Sequence, residues 1–177
     1  SGIDAIKFQT HIAEAESSIY EPFRVNFSYE DDSRYDYWER MGFTLEQWKG
    51  IKTHCDEAGL EFMSSPFSQA AVDLLEEVGV TRSKVGSGEV SNFLLLEKIC
   101  RTRKPIILSS GMSSLEELNR AVAFVQKHGN DLSILQCTTA YPTPADRVGL
   151  NVIGVLKDRY PGIKVGLSEH TARAATG

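Results

Sequence analysis

The residues equipped for chemistry cluster at the ends of short apolar runs. Lys7 sits between Ile6 and Phe8, with Gln9 two places on. A lysine there is an anion anchor or a Schiff-base amine, or else a side chain snorkelling out of an edge strand. Lys84 opens Lys-Val-Gly-Ser-Gly-Glu89, in which two glycines flank Ser87. Such glycines let the backbone approach a ligand and turn N–H groups toward an anion, although the same residues also describe a plain tight turn. Ser109-Ser-Gly-Met112 has the form of a phosphate cradle feeding a helix N-terminus, or of a simple helix cap. Ser64, Ser65, Thr138, Thr139 and Ser168 add hydroxyls at equivalent places. Tyr141-Pro-Thr-Pro144 is a loop whose prolines fix the tyrosine, or a structural connection.

His170 follows Ser168-Glu169 at such an end, whereas His54 and His128 fall on helix faces and His11 in a long polar stretch. A metal site needs a second histidine or a carboxylate, and none lies at short spacing, though Glu169 and His170 could supply part of one. No Walker loop, Gly-x-Ser-x-Gly elbow or His-Glu-x-x-His helix is present. Lysines, hydroxyls, one histidine and glycine-loosened backbone suit a small, multiply charged anion, such as a phosphate ester carrying a carboxylate.

These residues need elements to hold them. Asp4–Gln9 reads as a strand, and 10–43 as a long polar and aromatic excursion with a helical turn or two, in which Tyr35, Tyr37 and Trp38 pack under the loop. Thr44 and Gln47 form a capping box before Leu45, Trp48, Ile51 and Cys55 at helical spacing, with Gly59 as stop. Strands follow at Glu61–Ser65, Ser83–Ser87, Pro105–Ser109, Leu132–Thr138 and Lys164–Ser168. Between them lie helices capped by Ser68, by Asn92 and by a Ser113–Glu116 box, and one from Leu150 to Tyr160. Another helix starts after His170 toward Gly177. This alternation predicts a parallel sheet with helical crossovers. Polar residues at every strand end favour a TIM-type (β/α)8 barrel over a doubly wound open sheet, which gathers chemistry at one switch point. A complete barrel takes about 250 residues, so this chain, with six such strands, reads as an incomplete one.

The 177 residues carry a net charge of −5 and 41% hydrophobic residues, as one ordinary globular domain does. Scattered Lys and Arg in an acidic chain argue against nucleic acid, and no run reaches the roughly 18 apolar residues of a membrane span. Three widely spaced cysteines without a Cys-x-x-Cys pair point to a reducing cytoplasm, not to disulfides or a cysteine-ligated zinc.

Six ordered motifs carry a resemblance. Ile6-Lys-Phe-Gln9, Phe62-Met-Ser-Ser-Pro-Phe67, Lys84-Val-Gly-Ser-Gly-Glu89, Ile107-Leu-Ser-Ser-Gly-Met112, Gln136-Cys-Thr-Thr-Ala-Tyr-Pro-Thr-Pro144 and Val165-Gly-Leu-Ser-Glu-His-Thr171 span nearly the whole chain. In them it resembles the catalytic barrel of the N-acetylneuraminate (sialic acid) synthase family, which includes legionaminate and pseudaminate synthases. The resemblance implies condensation of phosphoenolpyruvate with an N-acylated aminohexose, N-acetylmannosamine or similar, to a nine-carbon 2-keto acid and phosphate. It implies that Lys7, Ser65, Lys84, Ser87, Ser109 and Ser168 hold phosphoenolpyruvate, and that Gln9 and Tyr141 face the sugar. His170 would be one of two histidine ligands to a divalent metal, manganese or alternatively magnesium, making Lys7, Lys84 and His170 the catalytic set. Ser65 replaces a frequent threonine, and Thr139 occupies a ligand-lining position that is asparagine in some members.

In that family a first strand with an acid–base glutamate, an eighth strand with the second metal histidine, and a C-terminal antifreeze-like domain would lie outside 1–177. The strands here correspond to strands two to seven, and a homodimer is expected of the longer form. The expectation is that 1–177 alone leaves two sheet edges unpaired and has little or no synthase activity. Two alternatives stand beside it: a Schiff-base aldolase or lyase using Lys7 or Lys84, and a non-catalytic barrel fragment that binds phosphate ligands.

Overall fold

The computed structural model describes residues 2–23 and 28–171. The chain forms two compact units, Ser1–Thr81 and Arg82–Gly177.

In the first unit, β1 (Ala5–Thr10) leads through α1 (Ala13–Glu16) and α2 (Arg34–Met41) to α3 (Leu45–Glu57), β2 (Glu61–Pro66) and α4 (Gln69–Val78). Strands β1 and β2 are parallel, with Lys7 opposite Met63 and Gln9 opposite Ser65. The two-residue period then puts Lys7, Gln9, Met63 and Ser65 on one face and Ile6, Phe8, Phe62 and Ser64 on the other. The second face meets the helices. Phe62 stacks on Phe8 at 5.5 Å and joins Trp48, Cys55, Leu75, Val78 and Val80 in a core. Helix α3 starts where expected, because the Thr44 hydroxyl accepts from Gln47 N–H while the Gln47 side chain accepts from Thr44 N–H.

The excursion after β1 is anchored by His11. Its ring stacks between Trp38, 3.6 Å away, and Phe67, 4.1 Å away, nearly parallel to both. Its Nδ1 is 2.7 Å from Glu16 Oε2, and Glu16 Oε1 accepts from Ile12 N–H. Of the aromatics expected under the loop, Trp38 stacks on His11 and Tyr37 meets Trp38 edge-on at 4.8 Å.

The second unit contains β3 (Ser83–Val85), α5 (Phe93–Arg101), β4 (Ile106–Ser109), α6 (Leu115–His128), β5 (Leu132–Cys137), α7 (Leu150–Arg159) and β6 (Lys164–Ser168). Its strands pair in parallel in sequence order, β3 to β4 to β5 to β6. Consecutive neighbours throughout are the order of a barrel wall; an open doubly wound sheet reverses order at its switch point. Ile106, Leu108 and Ile134 on one strand face are buried, as are Leu96, Ile99, Leu118, Val125 and Leu156 on the helices.

One cap differs from expectation. The box opening α6 is Ser114 with Glu117, one residue beyond the Ser113–Glu116 pair, so the helix begins at Leu115. Both pairings satisfy the same Ser-x-x-Glu spacing, and the Ser-Ser repeat hides which is used. The helix expected toward Gly177 lies outside the described residues. All three cysteines are free thiols, and no described helix is long and apolar enough to cross a membrane.

Candidate active-site face

Register decides which side chains share a surface. In the second unit Lys84 pairs with Ile107, Ile107 with Ser133, Ser109 with Leu135, and Cys137 with Ser168. Lys84, Ser109, Cys137 and Ser168 therefore project from one face, the last three as the final residues of β4, β5 and β6. Lys84 is only 9% exposed and Ser109 1%. The Ser109 hydroxyl finds no hydrogen-bond partner among the described residues. A buried hydroxyl with unused bonding capacity is costly unless something completes it, which marks this face as one made for a polar ligand.

Ser87 opens a 3-10 turn after β3, and its hydroxyl faces the β4–α6 loop. The glycine that this approach requires is Gly111, not Gly88. A Cβ on Gly111 would lie 2.8 Å from Ser87 Oγ, 2.9 Å from the Cys137 carbonyl oxygen and 3.0 Å from Thr139 Cγ2, whereas one on Gly88 would meet nothing. Gly111 thus lets the loops after β3, β4 and β5 close on one another. At the start of α6 the Ser114–Glu117 capping box satisfies the N–H groups of Ser114 and Glu117 themselves, two residues beyond the Ser109–Met112 run.

Behind the face, Gln136 ties two of these loops together. Its Nε2 donates to the Val148 carbonyl at 3.3 Å, and its Oε1 accepts from Ser110 Oγ at 3.4 Å. Gln136 opens one of the motifs but carries no role in the sequence reading; by alternation it lies on the helix side of β5, away from Cys137.

His170 lies two residues past β6, with Nε2 3.4 Å from Ser168 Oγ and its ring 4.6 Å from that of Tyr141. Thr143 donates its N–H to the His170 carbonyl at 2.9 Å, while its hydroxyl donates to Ala140 O at 2.7 Å. The Tyr141–Pro142 bond is cis. The Tyr141 phenol is pushed up from its ordinary pKa by desolvation first and by Cys137 second, although most of the residue's surface is open. Tyr141 thus lies beside His170. The metal expectation finds less support. Glu169 Oε1 accepts from Thr171 N–H at 2.6 Å, and no group of three His, Cys, Asp or Glu among the described residues is arranged to hold an ion. A single imidazole does not hold a divalent cation, so these residues do not fit a metal by themselves.

In the first unit, Lys7, Gln9 and Ser65 share the face opposite the core. Ser65 is buried, and on the other face Thr10 and Ser64 are joined by a 2.7 Å hydrogen bond. Lys7 keeps much of its side-chain surface open, yet its ammonium pKa is lowered by desolvation. The two observations agree once the long stem and the charged tip are counted separately.

Comparison with known proteins follows the motifs. The model of the NeuB family matches residues 1–176. The chain is 34% identical over 177 residues to the N,N'-diacetyllegionaminic acid synthase of Campylobacter jejuni, covering 97% of this chain and 53% of that protein. It is 30% identical to human N-acetylneuraminate-9-phosphate synthase, covering 96% and 48%. A crystal structure of a sialic acid synthetase from Leptospira borgpetersenii in complex with citrate superposes with a TM-score of 0.81 at 26% identity, covering 95% of this chain and 55% of that one. The chain spans about half the length of the curated relatives it matches. Its fold is the α/β barrel type, incomplete, with six strands among the described residues. Taken with its motifs, these likenesses show that the chain belongs to the NeuB family, whose named relatives are sialic acid-type synthases.

Proposed function

We propose that the protein condenses phosphoenolpyruvate with an open-chain N-acylated aminohexose, N-acetylmannosamine or a close relative, to a nine-carbon 2-keto sugar acid and inorganic phosphate. The observation that carries this reading is the row of Lys84, Ser109 and Ser168 on one strand face of a NeuB-family chain. A phosphorylated carboxylate needs fixed cationic and hydroxyl donors. A largely buried ammonium and a hydroxyl with unspent capacity supply them in a setting where each acts more strongly than in water. By motif, Lys7, Ser65 and Ser87 also belong to phosphoenolpyruvate, Gln9 and Tyr141 to the sugar, and Thr139 to the ligand wall.

In the proposed reaction C3 of phosphoenolpyruvate attacks the sugar aldehyde carbon, forming the new C–C bond. Water adds at C2, and the C2–O bond to phosphate then breaks as the keto group forms. Lys84 and the serines hold the phosphate through the change from planar to tetrahedral C2 and take up the negative charge that leaves with it. We assign His170 as one ligand of a divalent metal, manganese or magnesium, completed by residues outside those described.

We further infer that 1–177 is part of a longer polypeptide, since its relatives are about twice as long, and that the activity belongs to that polypeptide as a cytoplasmic homodimer. The test is a coupled phosphate-release assay of the full-length protein with phosphoenolpyruvate, manganese and N-acylated mannosamine, legionaminate-type and pseudaminate-type precursors. Release that requires one of the sugars is expected; no release with any, or release independent of sugar, contradicts the proposal. A second reading, a Schiff-base aldolase, draws on the lowered pKa of Lys7. Borohydride trapping with pyruvate separates the two, because only the aldolase leaves a reduced adduct on Lys7 or Lys84.

A further inference from the structure

We infer that Cys137 is a further substrate-facing residue, its thiol forming part of the wall against which the anionic end of phosphoenolpyruvate rests. The inference rests on the reading of the β3–β6 face just proposed. Cys137 is the last residue of β5 and pairs with Ser168, so its side chain leaves the sheet on the side of Lys84, Ser109 and Ser168. Across β4, Ser109 brings to the same face a hydroxyl that is 1% exposed and unpartnered among the described residues. That orphaned donor points to a ligand independently of the thiol.

The local packing holds Cys137 in place. The Gly111 backbone closes on the Cys137 carbonyl so tightly that a Cβ would come within 2.9 Å of it. Cys137 also lies near enough to Tyr141 to help raise its phenol. The other two thiols have different surroundings. Cys55 lies on α3 and Cys100 on α5, both buried among helix contacts that push their thiols up, Cys100 to about 11. A thiol in a row of hydroxyls offers a weak donor and a compact, polarisable surface. Serine preserves the donor, whereas valine keeps roughly the volume and removes it.

The test labels the full-length protein with methyl methanethiosulfonate, with and without phosphoenolpyruvate, and reads each cysteine by peptide mass spectrometry. Phosphoenolpyruvate should slow labelling of Cys137 at least tenfold and leave Cys55 and Cys100 unchanged; general tightening of the fold would slow all three. In parallel, Cys137→Val should weaken phosphoenolpyruvate binding about tenfold by calorimetry with the sugar KM unmoved, and Cys137→Ser should stay within about twofold of wild type. Wild type that binds phosphoenolpyruvate, with Cys137 unprotected or refractory to the reagent, overturns this inference alone. Wild type that binds no phosphoenolpyruvate overturns the synthase reading and this inference with it.

Discussion

Gly149 backs directly onto the side-chain amide of Gln136: a Cβ at 149 would lie 2.7 Å from Nε2, and the residue holds φ at +75°. Two separate penalties therefore meet in one substitution. Gly149→Ala should cost about 2–4 kcal/mol, combining left-handed backbone strain with a side-chain collision. Gln136→Ala removes the collision but not the strain, so the double variant should lose less than the two single variants added together. Chemical denaturation of the four proteins in the cycle measures this, and strict additivity would show that the two residues do not press on one another.

Gly111 makes the analogous prediction for the site. Two of the atoms a Cβ would meet are the Ser87 hydroxyl and the backbone oxygen of Cys137, and the latter cannot rotate away. Gly111→Ala should force the β4–α6 loop outward and weaken phosphoenolpyruvate binding by on the order of tenfold, with only a few degrees lost in Tm. Isothermal titration alongside a thermal melt checks it; unchanged affinity would mean that the loop closure is unrelated to the ligand.

Lys7 sets an alkaline limit. Desolvation lowers its folded pKa below the ordinary lysine value of 10.5, so between the two values the unfolded chain binds more protons than the folded one. The desolvation penalty is fully present below the folded pKa and fades as pH rises to the unfolded value, so stability from this group rises with pH across that window. Anion binding runs the other way, because the cation is lost. The KM for phosphoenolpyruvate should climb on the alkaline side before pH 10.5, and Lys7→Arg should move that limb to higher pH. An identical alkaline limb in the arginine variant would assign it to another group.

Much of this arrangement was readable in the sequence, for identifiable reasons. Helices opened by Thr44, Ser68 and Asn92 carry short-range signals and occur as expected, as do the ends of β4 and β6 at Ser109 and Ser168, whereas β3 stops at Val85, short of Ser87. The Lys84–Ser109–Ser168 face follows from two-residue alternation once register is known. Register itself is set by pairing between distant segments, so the motif that Gln136 and Cys137 open does not by itself tell which of the two faces the site. His11 was hidden for a similar reason, since its partners Trp38 and Phe67 come from elements far along the chain. The glycine that matters for close approach is Gly111 in place of Gly88, and only the packing of three loops tells them apart.

The cation on the β3–β6 face is the point on which the synthase account turns. Calorimetric titration of the full-length protein with phosphoenolpyruvate, comparing wild type with Lys84→Met, addresses it without any assumption about the sugar. Losing one charge-assisted contact to a phosphate or carboxylate should weaken binding by about 2–3 kcal/mol, roughly 30- to 150-fold. Equal affinity in the two proteins, with the variant folded, would place the anion elsewhere and remove the physical basis of the proposed reaction.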